Sequence, residues 1–258
     1  MTLGCPSWPA YLKSAIESVR RERREVECEC RAFRRFRQRI QSLETATPQI
    51  EQPSVGMQQG LSYAQRSVRD EIEPHYRETV MAVDHYENVY DDSLEASIST
   101  EFGADVLLLI SKASSFSPVI KQRLLGAAQR CTDNRRLFLE TLENEFSTLT
   151  DAQSTVRGIR DTIIEIDDDE LQDLSATQLT RRFERLQSLT DECEEWLQRR
   201  QDQLHIRQSE RPSDERGCPG LCLYLYETLG IGHPVLATFT KVIEIIHRYE
   251  QQLLRILA

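Results

Sequence analysis

From Ala10 to Glu44 the chain contains neither glycine nor proline, and Leu12, Val19, Val26, Phe33 and Ile40 recur at an unbroken spacing of seven. A seven-residue apolar repeat is two turns of α-helix, so these side chains share one face. Ile16 and Cys30, then Phe36 and Leu43, widen that line into a stripe. Only a helix can bury such a stripe, and this one is roughly 55 Å long at ~1.5 Å per residue. Arg23 and Arg37 interrupt the second line, which predicts a bundle helix rather than a clean two-stranded zipper.

The pattern returns along the chain. Val68, Ile72, Tyr76, Val80, Val83 and Tyr86 mark the buried face of a second helix, with Pro74 inside it as a kink or a division. Ser117 and Pro118 are suited to the cap and first turn of a third. Its stripe runs through Leu124, Ala128, Cys131, Leu142, Leu149, Ala152, Val156, Ile159, Ile163 and Ile166. Ser175 caps a fourth, with Leu179, Phe183, Leu186, Cys193, Leu197 and Leu204 on a heptad grid, and Pro234 starts a last one. Between 93 and 116 two short helices are expected, separated by Gly103 in a left-handed cap. Long helices are therefore predicted over 8–44, 62–90, 118–167, 175–208 and 234–257, with a short-helix insert at 93–116. The expected fold class is all-α: one domain over 1–258, an extended bundle of long coiled-coil-like helices.

Composition narrows the class further. Ten Gly and nine Pro in 258 residues are too few punctuators for an all-β or loop-rich scaffold. No apolar run approaches the ~18–20 residues of a membrane span. The first residues carry no basic region followed by an apolar core, so no secretory signal is expected. Seven Cys without framework spacing fit a reducing cytoplasm, which is the expected location. The 32 basic residues divide into 28 Arg and 4 Lys, against 42 acids, giving a net charge of −10. That balance fits a protein of a salt-loving archaeon, with a hydrated carboxylate surface.

Two stretches carry a family likeness: Tyr76-Arg77-Glu78-Thr79-Val80-Met81 with His85-Tyr86, Tyr90, Leu94 and Glu101-Phe102-Gly103, and Leu221-Cys222-Leu223-Tyr224-Leu225-Tyr226 with Pro234-Val235-Leu236. Together they resemble an uncharacterised family of helical haloarchaeal proteins, a domain of unknown function covering nearly the whole chain. The resemblance implies cytoplasmic helical proteins. It implies no activity and no functional residue.

No phosphate loop, dinucleotide fingerprint, zincin helix, nucleophile elbow or Cys-x-x-Cys pair is present in the sequence. Cys218, Cys222 and His233, with Cys5, are the weak candidates for a zinc site. Cys28 and Cys30 point about 200° apart on a helix and cannot share a metal. The preferred reading makes the Cys residues small hydrophobes, since Cys30, Cys131 and Cys193 lie on apolar stripes. His75 and His85 share residues 65–105 with eleven acids and three Arg, an acidic His/Tyr segment capable of metal or acid–base work. It lacks the paired Glu-x-x-His of di-iron bundles, so a hydrated face is preferred. Arg20 to Arg39 holds nine Arg and four Glu, a basic stretch with Phe33 and Phe36. Its aromatics fall on the buried stripe and its Glu residues interrupt the charge, so a salt-bridged face is preferred over nucleic acid, with Glu27 and Arg31 at the favourable four-residue step. A helix-turn-helix around Gly103, read by the helix from Pro118, is disfavoured by its near-balanced charge.

The sequence therefore points to a non-catalytic helical scaffold or protein-interaction module, with no catalytic residue, cofactor or metal assigned. A protein partner or self-association is expected, no membrane, and nucleic acid is disfavoured. The alternatives are a DNA-binding transcriptional regulator and a metal-dependent enzyme built on the acidic His/Tyr segment.

Overall fold

The computed structural model describes residues 8–46, 67–167, 175–209 and 220–257. Nine α-helices and one short 3-10 turn occur among them, and no strand. In chain order they are α1 (Tyr11–Ser42), α2 (Val68–Arg77), α3 (Tyr86–Val89), α4 (Leu94–Phe102), α5 (Ala104–Lys112), α6 (Pro118–Asp167), α7 (Ala176–Ser209), α8 (Leu221–Tyr226) and α9 (Pro234–Leu257). The all-α class and the long helices expected over 8–44, 118–167, 175–208 and 234–257 are present, each within a few residues of its expected ends.

The chain divides into two compact units. Unit 1 comprises residues 1–22 and 142–258, and unit 2 comprises residues 23–141. Helices α1 and α6 each contribute residues to both.

In unit 2 the apolar stripe of α1 packs against α2, α4, α5 and the first part of α6. Phe33, Phe36, Ile40, Ile72, Tyr76, Ile98, Phe102, Val106, Ile110 and Leu124 are all buried in one cluster. Its centre is aromatic: Phe36 and Phe102 each lie against Tyr76 edge-on, at 5.4 and 5.5 Å between ring centroids. Edge-to-face contacts of this kind add ~0.5–1.5 kcal/mol beyond area burial. Local chemistry sets the helix starts. Ser67 and Asp70 form a reciprocal cap at α2, each side chain accepting from the other's backbone N–H at 3.2 Å. Ser93 caps α4 and Ser117 caps α6 through the N–H groups of Ala96 and Ile120.

The helix expected over 62–90 is not continuous; its residues 62–66 lie outside the described part. Pro74 does not divide it, because α2 runs through Pro74 to Arg77. The break comes after Arg77, where the Tyr76 carbonyl accepts from the N–H groups of Thr79, Val80 and Met81. Three donors on one carbonyl close the helix into turns, and Thr79 adds its hydroxyl to the His75 carbonyl at 2.6 Å. Gly103 separates α4 from α5, with φ +99° and ψ 151° rather than the left-handed helical values expected. Glycine is favoured here by that φ; an added Cβ would also displace the exposed Asp105 carboxylate, whose Oδ1 lies 2.7 Å from its position.

In unit 1, α7 and α9 form the main helix pair. Trp196 stacks on Phe239 at 5.2 Å, with the rings 11° from parallel. Leu12, Ile16 and Val19 of α1, Leu149, Ile159 and Ile163 of α6 and Val242, Ile246 and Leu253 of α9 are buried. No single helix among the described residues is long and apolar enough to cross a membrane. Residues Leu221–Leu229 and Pro234–Arg255 meet such a test only together, and they are bent by 62°. Their apolar residues Leu225, Val235, Phe239 and Val242 are buried in the fold.

Candidate functional site: two buried ion clusters

Each unit buries a glutamate from one of its long helices and surrounds it with arginine and tyrosine. In unit 2 the glutamate is Glu29 of α1. Its Oε1 accepts from the Tyr90 hydroxyl at 2.8 Å and lies 2.9 Å from His85 Nε2. Its Oε2 accepts from Arg135 Nε at 2.7 Å. The other edge of Arg135 grips both oxygens of Glu101, at 2.9 and 2.6 Å. The Arg135 guanidinium also lies over the Phe33 ring, 4.5 Å from its centroid. One cation from α6 thus joins carboxylates from α1 and α4, with His85 and Tyr90 supplied by the segment between α2 and α4. Burial alone would raise the Glu29 carboxyl, but the bonds from His85 and Arg135 outweigh it and hold it below the ordinary range. Burial and the neighbouring Glu29 charge push the Tyr90 hydroxyl far up.

In unit 1 the glutamate is Glu145 of α6, fully buried. Arg200 of α7 donates to both of its oxygens, at 3.1 and 2.6 Å. Arg207, seven residues further along α7, donates at 2.7 Å, and the Tyr226 hydroxyl of α8 at 2.8 Å. Burial would raise this carboxyl too, but the Arg200 charge and these bonds bring it down. Arg200 Nη2 also lies 3.6 Å from Cys222 Sγ.

Both clusters occupy heptad positions. Alternating steps of three and four from Leu12 along α1 land on Glu29, and steps of four and three from Leu124 to Ile166 along α6 land on Arg135 and Glu145. On α7, Leu179, Leu186, Cys193, Arg200 and Arg207 are spaced by seven. Reading the stripes by apolar residues alone passes over the charged ones. The available signal was a charged residue filling a gap in the grid of each of two helices, with opposite signs.

Cys5 and Cys218 fall outside the described residues. Cys222 is buried with its thiol turned toward Arg200, whereas His233 is exposed at the start of α9. Among the described residues no group of three or more His, Cys, Asp or Glu is arranged to hold a metal ion. The Cys30, Cys131, Cys193 and Cys222 thiols are all pushed up by burial, Cys131 and Cys193 to about 12. From the acidic segment, His85 and Tyr90 do converge, but on Glu29 rather than on acids of their own segment. Of its acids, Glu101 joins the cluster through Arg135, while Glu73 pairs with Arg69 and Arg77, Glu78 with Arg39 and Glu95 with Arg69. Of the basic stretch, Arg20 lies over the Phe146 ring and Arg39 bonds Glu78 at 2.5 Å. Arg31 turns to the Cys28 thiol at 3.0 Å instead of pairing with Glu27.

A cavity of about 40 Å³ adjoins the unit 2 cluster, lined by Phe33, Val80, Val83, Tyr86, Thr100 and Arg135 among others. At ~10–15 Å³ per water-sized probe, the cavity has room for a few waters and not for an organic substrate.

Neither a curated protein nor a solved structure matches the chain. Residues 10–250 match the family described as Domain of unknown function (DUF7260), and the chain belongs to that family.

Proposed function

We propose that the protein is a non-catalytic helical scaffold, acting by holding a protein partner or a second copy of itself. One observation carries this reading: the buried groups with displaced acid–base behaviour are moved away from reactivity at neutral pH. The thiols of Cys30, Cys131, Cys193 and Cys222 and the hydroxyls of Tyr76, Tyr90 and Tyr226 are raised, and Glu29 and Glu145 are lowered. A general base or nucleophile works best when its pKa lies near the operating pH. Both carboxylates instead spend their lone pairs on cross-helix bonds, which serve to fix the helices.

The setting we propose is the cytoplasm of a salt-loving archaeon, supported by 28 Arg against 4 Lys and the net charge of −10. Cross-linking mass spectrometry in native extract, at the salt of the cell, tests the scaffold reading. A complex of fixed stoichiometry is expected. Conversion of a metabolite by the purified chain, lost in a folded Glu29→Gln variant, would instead make the unit 2 cluster an active site.

A further inference from the structure

The first part of α6 buries Ile120, Leu124, Ala127, Ala128 and Cys131 in unit 2. Its opposite side is open. Val119 and Leu137 are 67% and 62% exposed there, the most exposed large apolar side chains among the described residues. Pro118, Val119, Gln122, Arg123, Gly126 and Arg130 line a shallow groove on this side. Val119, Arg123, Gly126, Arg130, Asp133 and Leu137 follow one another in steps of 4, 3, 4, 3 and 4, the spacing of a coiled-coil seam. Arg123 and Arg130 have no ion-pair partner among the described residues. Among the described residues Asp133 is engaged within its own helix, by Gln129 at 2.9 Å and Arg136 at 3.3 Å, both on Oδ1.

We infer that this face, Val119 to Leu137 of α6, pairs with the same face of a second copy in antiparallel orientation. The inference rests on the scaffold reading and names its interaction surface. Two-fold symmetry about residue 128 matches each residue with the one whose number completes 256. Val119 then meets the partner's Leu137, Arg123 meets the partner's Asp133, and Gly126 meets the partner's Arg130. Apolar groups close both ends, and opposite charges face each other between them. A two-fold interface must be self-complementary in this manner. Parallel pairing would set Arg123 on Arg123 and Arg130 on Arg130, with like charges opposed. The seam spans about 27 Å at ~1.5 Å per residue. That is short for a permanent interface, so the association is reversible and concentration-dependent.

Sedimentation of the full chain over a hundredfold range of concentration tests this. The expected result is a rise from the mass of one chain, 29.9 kDa, toward twice that. Val119→Asp should hold the chain at single mass with unchanged circular dichroism, since the residue is exposed. Asp133→Arg should weaken association about tenfold, and adding Arg123→Asp to it should restore it, because the swap preserves the antiparallel match. Single mass throughout overturns self-pairing. A dimer indifferent to Val119→Asp and Asp133→Arg overturns the choice of face, and failure of the swap to restore overturns the alignment. A monomeric chain that binds another protein through Val119 overturns self-pairing while leaving the scaffold reading intact.

Discussion

Replacing Glu145 with glutamine keeps the shape of the side chain and removes its charge. The carboxylate is fully buried and receives four bonds, two from Arg200 and one each from Arg207 and Tyr226. A glutamine must place its NH₂ group at one of the two oxygens. At Oε2 it faces donors from Arg200 and Arg207; at Oε1 it faces Arg200 and Tyr226, of which only the hydroxyl can turn and accept. In either orientation Arg200, whose side chain is 2% exposed, keeps one bond and loses its counter-charge. One or two charge-assisted bonds at ~1.5–3 kcal/mol each, plus a buried unpaired cation, put the loss at ~3–5 kcal/mol. For a body the size of unit 1 that corresponds to a fall of roughly 10–20 °C in Tm. The chain's two tryptophans, Trp8 and Trp196, both belong to unit 1, so their fluorescence in urea and thermal melts reports on this unit. A triple variant, Glu145→Leu with Arg200→Met and Tyr226→Phe, removes the buried polar groups together and should recover most of the loss, as apolar replacement of buried ion pairs often does. A Glu145→Gln change below ~1 kcal/mol, or a triple variant less stable than Glu145→Gln, would refute the assignment of a dehydrated, fully paired carboxylate.

Three further outcomes are expected. Because the Glu29 and Glu145 carboxyls are held below their ordinary value, their contribution to stability is complete above pH ~4.3 and disappears as pH falls through the lower folded-state values; urea midpoints should drop in that acid range, and a midpoint that rises on acidification contradicts it. Gly103→Ala should cost ~1–3 kcal/mol in unit 2 through its positive φ, read by circular dichroism in urea; an unchanged midpoint counts against the backbone described there. Iodoacetamide at pH 8 should leave Cys30, Cys131, Cys193 and Cys222 unmodified in the native chain and alkylate them in urea, by peptide mass mapping; rapid native labelling of Cys131 or Cys193 would show that their thiols are not held near 12.

The long helices were legible because their stripes are long, periodic and free of glycine and proline. Less legible was the end of α2, since Val80, Val83 and Tyr86 keep a helical spacing through residues that form turns. What closes the helix is the capture of three N–H groups by the Tyr76 carbonyl, and no residue type announces that. The ion clusters were half-legible. His85 and Tyr90 stood out as unusual residues in an acidic segment, but Glu29 looked like one more acid among arginines. Its burial follows from its place on the α1 grid, and its partner Arg135 lies 106 residues away. Local spacing does not contain that distance.

The heptad line on α7 carries a danger that Glu145 removes. Leu179, Leu186 and Cys193 repeat every seven residues, so a slip of one heptad against α6 would still face apolar side chains with apolar side chains. Arg182 donates to the Ile166 carbonyl and Arg200 to Glu145, so the two helices run antiparallel; counted from the second pair, Ala152 falls level with Cys193, Ile159 with Leu186 and Ile166 with Leu179. A one-heptad slip puts Cys193 at Glu145's level and buries the carboxylate beside a thiol that does not ionise near neutrality. That penalty, ~3–5 kcal/mol, disfavours a slip in this direction; the opposite slip brings Arg207 to the carboxylate but leaves Arg200 at the level of Ala152 without an acid. The apolar triple variant should therefore regain stability while losing uniqueness, and the Trp196 indole should give two slowly exchanging resonances where the wild-type chain gives one.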